Sequence, residues 1–155
     1  MFDQFLPDRL DNTYRGNKLA LWLFGLVVFM KAIQSLNSIF NGYSVATIAD
    51  GIPVDTFTSA GAQTVVSLFA VLGLSQFMIC LLCTLVLVRY RSMVPIMFAL
   101  FLLQHLGGRL ILQFLPIVRT GTAPGFYVNL ALTTVMIVGL ALSLRSQDNL
   151  QRQEW

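Results

Sequence analysis

Residues 62–88 read AQTVVSLFAVLGLSQFMICLLCTLVLV and contain no charged side chain. A helix needs about 20 apolar residues to cross roughly 30 Å of hydrocarbon. This run exceeds a perpendicular crossing, so it tilts or projects beyond the bilayer. Three further stretches qualify on either side of it. Residues 19–40 carry one charge, Lys31; residues 93–115 are interrupted by His105 and Arg109; residues 126–144 carry none.

Composition points the same way. The chain has 155 residues, 56% hydrophobic and only 11% charged. Soluble domains carry about 25% charged residues. A soluble chain this small could not cover its surface with so few polar groups. The expectation is an all-α integral membrane protein, an antiparallel four-transmembrane-helix bundle forming a single membrane domain. Residues 1–17 precede the first span and residues 145–155 follow the last.

Lys and Arg set the expected orientation. Arg9, Arg15 and Lys18 precede the first span, Arg89 and Arg91 follow the second, and Arg145 and Arg152 follow the fourth. The first loop has no basic residue and the third has only Arg119. The positive-inside bias places both termini in the cytoplasm. Tyr14, Tyr43, Tyr90, Tyr127 and Trp22 fall at or near span ends, as an interfacial aromatic belt requires. Asp3, Asp8 and Asp11 stand ahead of the first apolar run, so a cleavable leader is not expected and the first span is retained. A multi-pass protein of the plasma membrane follows, the inner membrane if the source is bacterial. The net charge of +3 is scattered, which is not a nucleic-acid footprint.

Two segments outside the spans have character. Phe2, Phe5, Leu6, Leu10 and Tyr14 recur at helical spacing, which fits an interfacial helix or a partly ordered tail. In the first loop, Asp50–Gly51 stands between residues 45–48 and 52–57. An Asp-Gly pair so placed is a β-hairpin signal, because both central residues take positive φ. A small hairpin on the extracytoplasmic side is expected there.

The polar residues of the spans fall at one depth. Lys31 lies about 18 Å from the start of its helix at about 1.5 Å per residue, and His105 lies at about the same level. Lys31, Gln34, Ser35 and Ser38 share one helical face, as do His105, Arg109 and Gln113, and Asn129 with Thr133. Ser67 lies in the matching half of the second span. These faces should meet in an outer-half polar pocket, with Lys31, Gln34, Ser38, Ser67, His105, Arg109, Asn129 and Thr133 as its ligand-binding residues. No span contains an acid. The cations are balanced if Asp50 or Asp55 folds inward, if Lys31 gives up its proton, or if an anionic group occupies the pocket. The alternative is structural: Arg109 and Lys31 snorkel toward headgroups, and the amides and hydroxyls join helices.

No catalytic or metal-binding set is present. There is no metalloprotease, nucleophile-elbow or phosphate-loop motif. Cys80 and Cys83 have redox-pair spacing but lie deep in an apolar run, where thiols are inert. The stretch His105-Leu106-Gly107-Gly108-Arg109 is similar, over that length only, to the haem-bearing helices of succinate dehydrogenase anchors. Haem held between two histidines would need a second histidine from another chain, so no cofactor is expected. The first functional expectation is a non-catalytic accessory or scaffold subunit, partnered by membrane lipids and by other subunits or a second copy. The next is binding or transport of an anionic or amphipathic small molecule, lipid or quinone in the pocket. A haem- or quinone-linked electron carrier stands behind both.

Overall fold

The computed structural model describes residues 14, 17–120 and 123–151, with side chains given through Leu144. The expected interfacial segment, apart from Tyr14, lies outside the described residues. Four long helices dominate: α1 (Lys18–Phe40), α2 (Ser59–Arg89), α3 (Val94–Phe114) and α4 (Pro124–Gln151). All four include stretches long and apolar enough to cross a membrane. The 31 residues of α2 span about 46 Å at about 1.5 Å each, well beyond the hydrocarbon thickness.

Local chemistry sets the helix ends. The Asn17 side chain accepts from Leu19 N and caps α1; Thr58 accepts from Gly61 N and caps α2. Each replaces a hydrogen bond that the first helical turn cannot make for itself. Pro95 sits in the first turn of α3, where a missing N–H costs nothing. At its far end α4 continues past the apolar run that stops at Leu144, reaching Gln151.

The bundle is apolar outside as well as inside. Trp22, Phe29, Leu103 and Phe114 are all more than 60% exposed. Patches of this kind are rare on soluble proteins and normal against lipid. The main core lies toward the α2–α3 turn, where Phe24, Val27, Cys83, Val86, Val94, Phe98 and Met136 are buried together. The Phe24 and Phe98 rings meet edge to face at 5.0 Å. In lipid, helices gain little from apolar burial and associate through close packing, which favours small residues at crossings. Two glycines serve that need. A Cβ on Gly73 of α2 would lie 2.9 Å from Ser35 O and 2.9 Å from Ser38 Cβ of α1. A Cβ on Gly139 of α4 would lie 2.5 Å from the Phe98 ring of α3. Accordingly α1 packs closely on α2 and α4, α3 leans on α4, and α2 and α3 barely touch.

The connection between α1 and α2 corrects an expectation. No strand occurs among the described residues, and the β-hairpin is not formed. The segment is instead a chain of short helical turns over Gly42–Ser44, Val45–Ala49 and Val54–Thr56. Gly51 does take positive φ, at +69°, but Asp50 stays right-handed at −100°. The Asp-Gly pair therefore ends a helical turn rather than joining strands. Asp50 N donates to Val45 O and Ile52 N to Ala46 O, a widened form of the glycine C-cap, with Pro53 following. Ala46, Ile52 and Val54 pack under this cap against Ala62, Val65 and Phe69 of α2.

The crossing at Gly73 can be tested with a matched pair. Gly73→Ala should destabilise the protein by about 1–3 kcal/mol through overpacking. Gly107, whose added Cβ meets nothing within 4 Å, should be neutral or stabilised by up to about 1 kcal/mol as Ala. Thermal midpoints in one detergent check both; equal midpoints would contradict the close approach of α1 and α2.

Candidate functional site

The loose α2–α3 seam opens into a cleft of about 910 Å³. Its position follows the same order on each helix. On α1 the buried core residues Phe24, Val27 and Val28 precede Lys31; on α3 Phe98 and Phe101 precede His105 and Arg109. On α2 and α4 the order reverses: Leu72 and Gln76 precede Cys80 and Cys83, and Asn129 precedes Leu132 and Met136. The cleft thus lies between the main core and the smaller cluster beneath the α1–α2 connection.

Four of the expected site residues line this cleft: Lys31, His105, Arg109 and Asn129. Lys31 Nζ donates to Asn129 Oδ1 at 3.3 Å, which ties α1 to α4. The Arg109 guanidinium lies 5.0 Å from the centre of the Phe126 ring, a cation–π contact that holds it over α4. Two buried side-chain nitrogens at the site, Arg109 Nη2 and His105 Nε2, have no hydrogen-bond partner among the described residues. A buried unmade hydrogen bond costs about 1–3 kcal/mol, and more at a charged group.

The other expected residues turn elsewhere. Ser35 and Ser38 share the Lys31 stripe but face Gly73 at the α1–α2 crossing, and Ser35 Oγ donates to Lys31 O at 2.6 Å. Gln34 does not line the cleft, and Ser67 borders a separate shallow groove on α2 with Gln63 and Thr64. Thr133 is buried and its hydroxyl donates to Asn129 O at 2.7 Å, a bond within α4. Its effect on the site is indirect, through the backbone that carries Asn129.

Several lining groups escape the helical-stripe reading. Gln104 Nε2 donates to Gln76 Oε1 at 2.7 Å, across the α2–α3 seam. Both amides stand inside apolar runs, and that isolation was their sequence signal. Asp50 and Arg119 come from the two loops and line the same cleft. The loops are stitched together by Thr120 N donating to Gly51 O at 2.8 Å. A Cβ at Gly125 would lie 2.8 Å from Ala49 O and 3.5 Å from Asp50 Oδ1, so the carboxylate sits beside the start of α4. A helix N-terminus favours a negative charge. Asp55 is exposed and accepts a hydrogen bond from Tyr43 instead. Of the two candidate acids, Asp50 is the one at the cleft.

Charge there is unbalanced. Lys31, Arg109 and Arg119 are basic residues, and Asp50 is the one acid among the described lining residues. Among the described residues, no group of His, Cys, Asp and Glu is arranged to hold a metal ion. The arrangement can hold an anion: a fork from Arg109, an ammonium from Lys31 and a ring nitrogen from His105.

Burial pushes the Asp50 carboxyl above the ordinary carboxylate range, and the Arg119 charge opposes part of that rise. A raised value means the folded state holds the proton more tightly than the unfolded one. Its contribution to stability is full below the unfolded value, about 3.9, and is lost as pH rises through the folded value. The thermal midpoint should therefore fall across that window, and Asp50→Asn should flatten the fall. An identical slope in Asp50→Asn would place the carboxyl in water.

Comparison with family models, with curated proteins and with solved structures found no match.

Proposed function

We propose that the protein binds an anionic, amphipathic small molecule in the cleft between α2 and α3, as a binding or transport protein of the membrane. One observation carries the reading: Lys31, His105, Arg109 and Arg119 line one cleft with a single acid, Asp50, among the described lining residues. An unpaired cation at membrane depth costs several kcal/mol unless it is solvated or paired. Among the described lining residues Asp50 is the one acid set against Lys31, Arg109 and Arg119. An anion in the cleft would offset that excess of basic side chains.

The volume supports an organic ligand. About 910 Å³ lies within the range of small-molecule sites and far exceeds one inorganic ion. Leu72, Phe101 and Ile111 supply apolar walls. No particular residue supports the accessory-subunit reading, whereas named donors support this one. Haem has no role in the proposal, because His105 is the chain's one histidine.

In this reading the bundle is antiparallel, with both termini in the cytoplasm of a plasma-membrane protein, and the cleft lies in the outer half. The placement of Arg89 and Arg91 opposite a first loop that has no Lys or Arg supports that orientation. In a variant lacking Cys80 and Cys83, a membrane-impermeant thiol reagent should label a cysteine placed at Thr120 from outside. It should not reach one placed at Arg91. The opposite pattern would invert the topology.

Native mass spectrometry of protein released from mild detergent tests the site. The parent protein should retain an anionic adduct. Lys31→Met and Arg109→Met should lose it, and Ser67→Ala, outside the cleft, should keep it. After delipidation Arg109→Met should melt higher than the parent, because it removes an unmatched buried cation. Unchanged adducts and unchanged melting would support snorkelling cations and end the proposal.

A further inference from the structure

We infer that the ligand is a lipid whose anionic headgroup sits among Lys31, His105 and Arg109 while its acyl chain lies in the α2–α3 seam, through which it enters sideways from the bilayer. The inference rests on the anion-binding reading above and adds the ligand class and the route.

The seam is the one weakly joined edge of the bundle. Gly73 draws α2 against α1, the Lys31–Asn129 bond ties α1 to α4, and Gly139 draws α4 against the Phe98 ring of α3. Among the described residues α2 and α3 meet near their turn, where Cys83 and Val86 share the core with Val94 and Phe98; along the cleft the link is the Gln104–Gln76 amide bond, with Gln104 itself exposed. This is a single link between side chains, with no close backbone approach of the kind Gly73 and Gly139 allow at the other crossings.

The opposite route passes the two loops. The two loops meet over the cleft through Thr120 and Gly51, and the start of α4 abuts Ala49 and Asp50. Asp50 and Arg119 place opposite charges at that rim, which gives a soluble anion no net attraction there. A lipid arriving through the seam meets Leu72 and Ile111, 66% and 59% exposed, and then the cations.

Volume separates the two kinds of occupant. At about 30 Å³ per water in the liquid, the cleft corresponds to roughly 30 waters. A phosphate group fills a small part of that and leaves the apolar walls wet. A headgroup with the first part of a chain fills both the polar and the apolar portions. The shared chemistry is a phosphate-like anion, and the two sources are a membrane lipid and a free ion in water.

The test closes the seam reversibly. In a Cys80→Ala/Cys83→Ala background, cysteines at Gln76 and Gln104 are joined by a short bis-methanethiosulfonate linker that reductant removes. The protein is exposed to phosphatidylcholine vesicles doped with dioleoyl phosphatidic acid, and separately to inorganic phosphate. Native mass spectrometry reads what is bound. Unlinked protein should take up phosphatidic acid, and linking should reduce uptake at least about tenfold, equivalent to about 1.4 kcal/mol. Reductant should restore it. Inorganic phosphate should not displace the lipid. If the double cysteine variant fails to fold, Leu72→Trp narrows the seam from its lipid-facing side and should give the same loss.

Unchanged phosphatidic acid uptake after linking, or in Leu72→Trp, would overturn the sideways route. Displacement of the lipid by inorganic phosphate would overturn the lipid assignment and leave a soluble-anion site. Failure of the unlinked protein to bind either probe would instead defeat the anion-binding reading itself.

Discussion

Arg109 and Lys31 stand within helices long enough to cross a membrane, and no acid shares those spans. Unmatched charge in low dielectric is the most expensive feature the chain carries. Much of the polar structure around it can be understood as partial compensation. Asn129 accepts from Lys31, and the Phe126 ring faces the Arg109 guanidinium. Asp50 comes in from a loop, placed beside the start of α4 by the glycine at 125. These contacts leave two buried nitrogens, Arg109 Nη2 and His105 Nε2, without partners among the described residues. The proposed anion would add to this partial compensation.

The cavity has a cause in how helices associate in lipid. Without a hydrophobic drive between helices, contact goes where backbones can come close. Gly73 and Gly139 provide two such places, at the α1–α2 and α3–α4 crossings. Along the cleft the α2–α3 edge carries Leu72, Gln76, Gln104 and Ile111, with no glycine crossing of that kind among the described residues. The cleft is therefore what remains once the small-residue crossings are made. The same helices bury Phe24, Phe98 and Met136 at the other end, where the walls close. One bundle thus has a sealed end and a parted end.

The long helices were legible because uncharged runs of this length have few other uses. Lys31, His105, Arg109 and Asn129 were legible because ionisable and amide groups at matching depth must avoid lipid. Ser35 and Ser38 were misleading for a definite reason. Spacing shows that they share a face with Lys31, but a helical face is broad, and its edge here turns to Gly73 rather than to the cleft. That rotation is set by tertiary packing, which spacing does not contain. Gln76 and Gln104 belong to no stripe, so their pairing across the seam was hidden. Asp50–Gly51 shows how one signal serves two structures. A positive φ at Gly51 suits a hairpin turn and a helix C-cap equally, and the right-handed Asp50 decides for the cap.

The central claim is that Arg109 and His105 turn together toward a shared cavity. An experimental map of the protein in a lipid nanodisc tests it most directly. The account predicts connected density between Lys31, His105 and Arg109, continuing between α2 and α3. A map with the Arg109 guanidinium extended to the headgroup region, the His105 ring against acyl chains and no density between them would contradict it.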